Sequence, residues 1–427
     1  MSRIPPNAGI IGMGGFAAAH HDAILSLEKH GLIRLICSCD PNLDLFAERM
    51  KQLDFNGRGV KVFDNYLKML DECRHHLDLV IVPTPIPLHA EMHRECVRRN
   101  LPVYLEKPPT LSYQELEEMI ETDRNAKYKT IVGFSWIAQK FHHNLKKRII
   151  SGDFGTVRKV TFLGNWPRHP DYYTRTPWAG RLFLDNRMVL DSCFGNAMAH
   201  YIHNLLFWCG SSGIFSWGNV TSVEAELYRC HAIESADTVF AHALTESGIE
   251  VLVAETHACA EKTPDIEKII CDRAAITFYP STGSPPDVRM AYEVTWNDGR
   301  KEYESVRYGN LLEDNLLAYV AYLKGDTDRP ETTLEDCRPF VLMNGLLFIS
   351  SGNITRIPEN FLEHVEVPLP GKKFIAIKNI RSICEEFLSS GKFPKQQGIN
   401  WGSGHIPADA SEIKELEKVV KKIGVSS

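Results

Sequence analysis

The 427-residue sequence lacks the features that mark several broad classes of protein. Its 48 lysines and arginines do not outnumber its 54 aspartates and glutamates, and the formal net charge is −6. Without a basic excess, nucleic acid is not an expected partner. No apolar run reaches the length of a membrane-spanning helix, and the first residues have no apolar signal core. No internal repeat or low-complexity tract is present. We therefore expect a globular cytoplasmic protein.

Cysteine is present, but not in the patterns of disulfide frameworks or zinc sites. The eleven cysteines are an odd number, are scattered, and include no C-x-x-C pair. Cys37 and Cys39 alternate along one predicted strand, as small core residues would. This usage predicts a reduced protein without structural disulfides or a bound metal.

A glycine-rich turn directly follows the first apolar strand, residues 8–11. The turn reads Gly12-Met13-Gly14-Gly15-Phe16-Ala17. Small residues at these positions permit a tight turn, close approach of a pyrophosphate, and tight packing of helix on strand. The helix that follows has free N–H groups at its start, which favour phosphate. The pattern predicts a dinucleotide site, although an ordinary strand-to-helix turn could have the same residues.

An aspartate ends the second predicted strand, residues 33–39. At this position Asp40 is expected to accept hydrogen bonds from the ribose hydroxyls of the cofactor. Its charge would repel a 2′-phosphate, so the sequence favours NAD over NADP. Since proline follows it, Asp40 could also cap the next helix.

Two proline-rich segments follow later strands of the same α/β alternation. The first, residues 83–89, follows the strand 77–82, and we expect its Thr84, Pro85 and His89 to flank the cofactor. His89 could equally be a first-turn residue of the next helix. Strands that alternate with helices at this spacing predict a doubly wound parallel sheet, in which ligands bind at the carboxyl ends of the strands.

The second proline-rich segment begins with a pair of charged residues. The strand 103–105 ends in Glu106 and Lys107, and two prolines follow. Proline cannot continue a central strand, so Lys107 is predicted to be extended at the strand's carboxyl end. The alternative for these two charges is a surface ion pair.

The second half of the chain contains a long loop rich in aromatic and arginine residues. We expect Arg168, Tyr172, Arg175 and Trp178 to bind the substrate. Rings stack on the apolar faces of sugars, and guanidinium groups donate to hydroxyls or carboxylates. The alternative is a loop that packs on the domain surface by its own aromatic side chains.

A polar stripe follows on a predicted helix that begins near residue 196. Its members are Asn196, His200, His203 and Asn204, at positions i, i+4, i+7 and i+8. Such a stripe is costly to bury without partners, which favours a cleft. No third strong ligand lies in register, so we do not predict a metal site.

The order of these motifs resembles the glucose–fructose oxidoreductase/inositol dehydrogenase (Gfo/Idh/MocA) family. The resemblance rests on the G-x-G-G turn, the aspartate after the second strand, the T-P-x-x-x-H loop and Glu-Lys-Pro. It implies that Lys107 reaches both substrate and nicotinamide. It also implies a carbohydrate substrate and a homodimer or homotetramer formed through the second domain.

The family also has Asp-x-Gly-x-His where this chain has the segment that begins at Asp191. If Asp191 is matched to the aspartate, position 195 is glycine instead of histidine; if the match is made through His200, Asn196 replaces the aspartate. We favour His200 as the acid/base, with Asp191 orienting it or the substrate and His203 as the alternative.

The resemblance and the strand pattern together predict the domain organisation. Residues 1–135 form an NAD-binding Rossmann domain, and residues 136–400 form an α+β domain that binds substrate and makes subunit contacts. Runs of predicted strands between 218 and 308 favour an open, mostly antiparallel sheet, which in the family has helices on one face. Residues 401–427 are expected to form a peripheral tail helix.

These expectations together predict an NAD-dependent oxidoreductase acting on a hydroxyl carbon of a sugar, polyol or sugar derivative. Two alternatives remain open. One is a redox-neutral NAD-dependent enzyme that cleaves glycosides or epimerises. The other is a non-catalytic sensor that binds the dinucleotide, which the broken Asp–His pattern would suit.

Overall fold

The computed structural model describes residues 5–278, 289–306, 309–366 and 371–426, which fold as two units. The first unit contains the described residues up to 110, with 114–139 and 309–337. The second contains 111–113, the described part of 140–306, and the described residues from 338 onward. The predicted strands between 218 and 308 lie partly outside the described residues, at 279–288 and 307–308.

A six-stranded sheet forms the centre of the first unit. All its neighbouring strands are parallel, and their order is β3-β2-β1-β4-β5-β6. The strands are β1 (Asn7–Ile11), β2 (Arg34–Cys39), β3 (Lys61–Phe63), β4 (Leu79–Val82), β5 (Val103–Leu105) and β6 (Ile131–Val132). This strand order is that of the dinucleotide-binding Rossmann fold. The predicted doubly wound parallel sheet is therefore confirmed.

The helices of the chain alternate with these strands and then recur throughout the second unit. In chain order they are α1 (Ala17–Lys29), α2 (Ala47–Gln52), α3 (Phe55–Arg58), α4 (Tyr66–Cys73), α5 (His89–Arg98), α6 (Tyr113–Arg124), α7 (Lys140–Ile150), α8 (Asp171–Thr174), α9 (Ala199–Cys209), α10 (Leu311–Leu323), α11 (Arg338–Ser351), α12 (Ile380–Ser390) and α13 (Leu416–Ser426).

Helix α10 belongs to the first unit, although the sequence predicted one unbroken second domain from 136 to 400. Its Leu316, Tyr319 and Val320 join the core cluster that contains Ile24 and Leu27 of α1. Polar contacts add to this packing, since the Asn315 amide donates to the Tyr104 hydroxyl at 3.0 Å. The apolar face of α1 thus obtains its cover from a helix almost 300 residues later in the chain.

A ten-stranded sheet forms the centre of the second unit. Its order is β16-β15-β14-β13-β7-β12-β11-β10-β17, with β20 also paired to β10. Most neighbours are antiparallel, as predicted; β7–β12 and β10–β17 are parallel. The strands of this unit, including two small hairpins, are β7 (Val157–Asn165), β8 (Phe183–Leu184), β9 (Arg187–Met188), β10 (Val220–Arg229), β11 (Thr238–Thr245), β12 (Glu250–Thr256), β13 (Ile266–Cys271), β14 (Ala274–Phe278), β15 (Arg289–Trp296), β16 (Lys301–Val306), β17 (Thr355–Arg356), β18 (Leu362–Val365), β19 (Phe374–Ile377) and β20 (Ala408–Asp409).

Helices pack on both faces of this sheet. Phe162 of β7 stacks on Tyr201 of α9, with ring centroids 4.2 Å apart. The next residue, Leu163, joins a core cluster with Ile380 and Phe387 of α12. Because successive side chains of a strand point to opposite faces, α9 and α12 lie on opposite sides of β7. The sequence had predicted helices on one face.

The C-terminal segment is packed into the second unit, where the sequence predicted a peripheral tail. Strand β20 extends the sheet beyond β10, and α13 packs against α11. Leu416, Val420 and Ile423 of α13 are buried. These apolar residues recur every three or four positions, so the helix has a continuous face to bury.

The eleven cysteines are all buried free thiols. Among the described residues, no cluster of three or more His, Cys, Asp or Glu side chains could hold a metal ion. Within the same residues, no helix is both long enough and apolar enough to cross a membrane.

Candidate functional site

The glycine-rich turn has a backbone that few other residues could adopt. Gly12 has φ +109° and Gly15 has φ +56°, both in the region that favours glycine. A Cβ added to Gly14 would lie 2.9 Å from Cζ of Phe46. Helix α1 begins at Ala17, and the N–H groups of its first residues donate to the carbonyls of Gly14, Gly15 and Phe16, so the helix starts directly on the turn. The turn therefore has the bare backbone and helix start that suit a pyrophosphate.

Asp40 braces this turn from the end of β2. One carboxylate oxygen accepts from the N–H of Met13 at 3.0 Å, and the other accepts from the N–H of Asn42 at 2.9 Å. The next helical turn begins at Leu43, so Asp40 does not cap it. Each carboxylate oxygen can accept more than one hydrogen bond. Asp40 can thus hold the turn and still accept from ribose hydroxyls.

A buried histidine that the sequence reasoning missed connects the turn to the Glu-Lys-Pro segment. Nε2 of His20, on α1, lies 2.8 Å from Oε1 of Glu106, and both side chains are buried. The other oxygen of Glu106 accepts from the backbone N–H of Lys107 at 3.0 Å. Glu106 therefore makes no surface ion pair and fixes the backbone of Lys107. No local pattern signals this role, because Glu106 lies 86 residues after His20 in the chain.

Glycine at position 133 gives Glu106 the space it occupies. A Cβ at Gly133 would lie 2.9 Å from Oε1 of Glu106. Lys107 itself is half-buried, and the Lys107–Pro108 peptide bond is cis.

His89 connects the loop after β4 to the loop after β5. Its Nε2 lies 2.8 Å from the carbonyl of Thr84, and its Nδ1 lies 3.0 Å from that of Pro108. Burial lowers the pKa of His89, so the neutral ring is favoured. The ring contacts backbone carbonyls of both loops, and the predicted cofactor contact of His89 stays a prediction. Pro85 is exposed and Thr84 is half-buried on the same loop.

The residues of the first unit therefore fit NAD. They supply a bare glycine turn, a helix start and a carboxylate after β2. Lys107 stands at the carboxyl end of β5, where open α/β sheets bind their ligands.

In the second unit, the predicted substrate loop folds on itself as a stack of cations and rings. The guanidinium of Arg168 lies 4.7 Å from the ring centroid of Tyr172, and that of Arg175 lies 3.5 Å from the same ring. Arg175 also lies 5.6 Å from the ring of Trp178. The structure thus brings together all four residues predicted to bind substrate. It also matches the alternative, in which the loop packs by its own aromatics.

Several buried polar atoms at this stack have no hydrogen-bond partner among the described residues. They include Nε of Arg168 and Nε2 of His257. Nδ1 of His257 is engaged at 2.8 Å by the Tyr173 hydroxyl, which fixes the ring. Buried polar atoms are almost always hydrogen-bonded. These two atoms therefore favour a polar ligand at the loop. No local sequence pattern indicated a role for His257.

Asp191 is a buried anchor. Its carboxylate accepts from the N–H of Gly180 at 2.7 Å and from the amide of Asn196 at 2.8 Å. It thereby fixes the end of the long loop to the π-helical turn Cys193–Ala197 that precedes α9.

The structure also explains why position 195 is glycine. A Cβ at Gly195 would lie 2.9 Å from Leu111 and 3.0 Å from Oδ1 of Asn344. A larger side chain there would require these two side chains to shift. The match of the family motif through His200 stays a prediction.

The polar stripe on α9 divides into two parts. Asn196 and His200 are half-buried, whereas His203 and Asn204 are buried in the core. The ring centroid of His203 lies 5.2 Å from that of Trp217. The stripe was predicted to line a cleft throughout; instead, its second half, which contains His203 and Asn204, is buried.

Glu267 of β13 is the buried hydrogen-bond partner of Asn204, on the buried half of the stripe. One carboxylate oxygen accepts from the Asn204 amide and from the Trp208 indole, both at 2.6 Å. Burial raises the pKa of Glu267 to about 8. The folded protein therefore favours the protonated carboxyl.

Replacing Glu267 with glutamine should flatten the pH dependence of stability. A carboxyl whose folded-state pKa is raised contributes stability that is full below its unfolded pKa and is lost as pH rises through about 8. Glutamine keeps the acceptor oxygen and removes the titration. Chemical unfolding from pH 5 to pH 9 should show a shallower decline for Glu267→Gln than for wild type, while the exposed control Glu363→Gln should follow wild type. Equal slopes for Glu267→Gln and wild type would contradict the assignment.

The chain is similar to known proteins over part of its length. Residues 6–134 match the model of the Gfo/Idh/MocA family, described as an oxidoreductase family with an NAD-binding Rossmann fold. Glucose-6-phosphate 3-dehydrogenase of Bacillus subtilis is 25% identical over 36% of this chain and 40% of its own length. Myo-inositol 2-dehydrogenase of Thermotoga maritima is 23% identical over 42% of this chain and 50% of its own length. The match thus spans half or less of these curated relatives.

Likeness to a solved structure extends further along the chain. The WlbA dehydrogenase of Bordetella pertussis, solved with NADH and UDP-GlcNAcA, has a TM-score of 0.64 at 20% identity. The superposition covers 81% of this chain and 96% of the WlbA chain, so the two proteins share the same fold. Residues 6–134 thus match the Gfo/Idh/MocA oxidoreductase family, and the fold of the chain is that of the WlbA dehydrogenase.

Proposed function

We propose that the chain is an NAD-dependent oxidoreductase that acts on a hydroxyl-bearing carbon of a sugar, polyol or sugar derivative. The observation that carries this proposal is the position of Lys107. It stands at the carboxyl end of β5, and its backbone is held by Glu106 and His20. The helix that carries His20 begins at the glycine turn, so one set of contacts fixes the cofactor turn and the lysine together.

The chemistry divides between the cofactor and the chain's own residues. Bound NAD supplies the hydride acceptor. Lys107 donates a hydrogen bond to the reacting oxygen or relays its proton, and His200 is the acid/base. Asp191 and Asn196 hold the start of α9, which carries His200.

A hydroxylated substrate suits the loop in the second unit. Stacked rings and guanidinium groups offer apolar faces beside hydrogen-bond donors. The unsatisfied atoms of Arg168 and His257 add two polar contacts within the same cluster. The names of the relatives, glucose-6-phosphate 3-dehydrogenase and myo-inositol 2-dehydrogenase, support a sugar or a polyol.

Asp40 supports NAD over NADP. A carboxylate that already braces the glycine turn cannot move away from a 2′-phosphate without releasing Met13. Its charge would oppose the phosphate, so we expect NADP to bind more weakly.

A substrate screen tests the proposal. The chain is loaded with NAD, and sugars, polyols, sugar acids and glycosides are added while NADH absorbance and fluorescence are followed. We expect at least one class to produce NADH in proportion to the substrate consumed, and NADP to replace NAD poorly. NAD binding without NADH formation from any of these compounds would contradict the proposed activity.

A further inference from the structure

A wide cleft lies entirely within the second unit. Its volume is about 1130 Å³, and its walls come from the loop at 170–186, the turn at 229–234, β17 and the end of α13. The residues of the loop that line it include Tyr173 and Arg181, whereas the stacked Arg168, Tyr172, Arg175 and Trp178 do not. Different residues of this loop therefore line the cleft and form the predicted substrate contacts.

The cleft is strongly basic in a chain of negative net charge. Four cations line it, namely Arg181, Arg229, Arg356 and Lys421, against one acid, Glu234. Arg181 pairs with Glu234 across the cleft wall, and Lys421 pairs at 2.6 Å with Glu417 of its own helix. Both of these pairs are exposed, and such pairs bind their partners weakly. The net charge of the lining is +3, since four positive groups face one negative group.

Two of these arginines occupy an electrostatically unfavourable position. Arg229 of β10 lies directly opposite Arg356 in the parallel pairing of β10 with β17. Like charges placed opposite each other on neighbouring strands destabilise the pair. Arg229 is oriented by a hydrogen bond of 2.7 Å to the carbonyl of Ile233. Among the described residues, the side chain of Arg356 forms no ion pair or hydrogen bond that would offset this repulsion directly.

We propose that the cleft binds a small molecule through a phosphate group. A phosphate dianion accepts from two guanidinium forks at once and removes the repulsion between them. The cleft is far larger than a phosphate ion, and Tyr173 and Phe183 line it beside the cations. The ligand therefore carries an organic group, such as a sugar or a nucleoside, on its phosphate. This site goes beyond the oxidoreductase activity proposed above and does not depend on it.

Calorimetric titration of the full chain tests the site. NAD is kept saturating, so that the glycine turn does not take up the probes, and chloride holds the ionic strength constant. The probes are inorganic phosphate, a hexose phosphate and a nucleoside diphosphate. Saturable binding is expected, tighter for the organic phosphate whose other half the cleft accepts. Arg356→Gln should weaken it by about tenfold or more, because a charge-assisted hydrogen bond is lost.

Matched variants separate this site from general electrostatics. Arg381→Gln removes an exposed arginine of α12 in the same unit, away from the cleft, and should leave phosphate binding unchanged. Lys421→Gln should weaken it, and all three variants should unfold at the wild-type temperature because the side chains are exposed. Absence of saturable binding for all three probes would overturn the proposal. Equal losses in Arg356→Gln and Arg381→Gln, or full affinity in Arg356→Gln, would also overturn it.

Discussion

Replacing Lys107 with alanine is expected to lower kcat by about 10²- to 10⁴-fold, the usual contribution of a positioned acid or base. The side chain stands at the ligand-binding end of β5, and the fold holds its backbone through Glu106. Folding should persist, since Lys107 is only half-buried and the His20–Glu106 contact remains. NAD affinity should change little, because the glycine turn and Asp40 are untouched. Steady-state kinetics on the substrate found by screening, with NAD titration and thermal unfolding, provide the measurement.

Two further variants make this result interpretable. Lys68→Ala removes an exposed lysine of α4 in the same unit and should retain the wild-type rate. Lys107→Arg keeps a positive donor but does not release its proton near neutral pH. If arginine restores the rate, the lysine acts by hydrogen bonding; if it does not, proton relay is favoured. A near-normal kcat for Lys107→Ala would remove Lys107 from the mechanism.

Replacing Lys146 with methionine should cause a large loss of stability. Its ammonium group, fully buried on α7, donates to the backbone carbonyls of Phe207, Gly210 and Ser216, the last two at 2.6 and 3.1 Å. These carbonyls lie at and just beyond the C-terminal end of α9, where the helix dipole also stabilises a cation. Methionine fills a similar volume but leaves the carbonyls unpaired. We expect a loss of about 3 kcal/mol or more in unfolding free energy, since each buried unsatisfied group costs about 1–3 kcal/mol.

The neighbouring residue provides the control for this experiment. Lys147 is exposed on the same helix, so Lys147→Met should change the unfolding free energy by less than about 0.5 kcal/mol. Denaturant unfolding of the two variants measures the difference. Similar midpoints for Lys146→Met and Lys147→Met would show that the buried ammonium does not hold the end of α9.

The N-terminal half was largely predictable because its signals are local. Three strands are followed by residues that mark the end of the strand: the glycines after β1, Asp40 after β2 and Lys107 after β5. Parallel pairing follows from strands that alternate with helices. The roles of His20 and His89 were harder to predict. Their partners are buried backbone and carboxylate groups up to 86 residues away in the chain.

The second half was predictable in class but less so in detail. The stripe on α9 shows why. Asn204 was correctly expected to need a partner, but a helical pattern does not reveal whether that partner is a ligand or a buried carboxyl. The partner is the buried carboxyl of Glu267, which lies 63 residues later in the chain. The loop around Tyr172 was likewise recognisable by composition, whereas its self-stacking depends on how the chain returns on itself.

The return of helix α10 to the first unit has a consequence for biosynthesis. All six strands of the Rossmann sheet have left the ribosome about 180 residues before Leu311 does, roughly 10–40 s at the usual rates of synthesis. During that interval the apolar surface of α1 around Ile24 and Leu27 lacks the helix that covers it. The nascent domain therefore presents an uncovered patch to chaperones. The cofactor domain cannot be completed until most of the second unit has been translated.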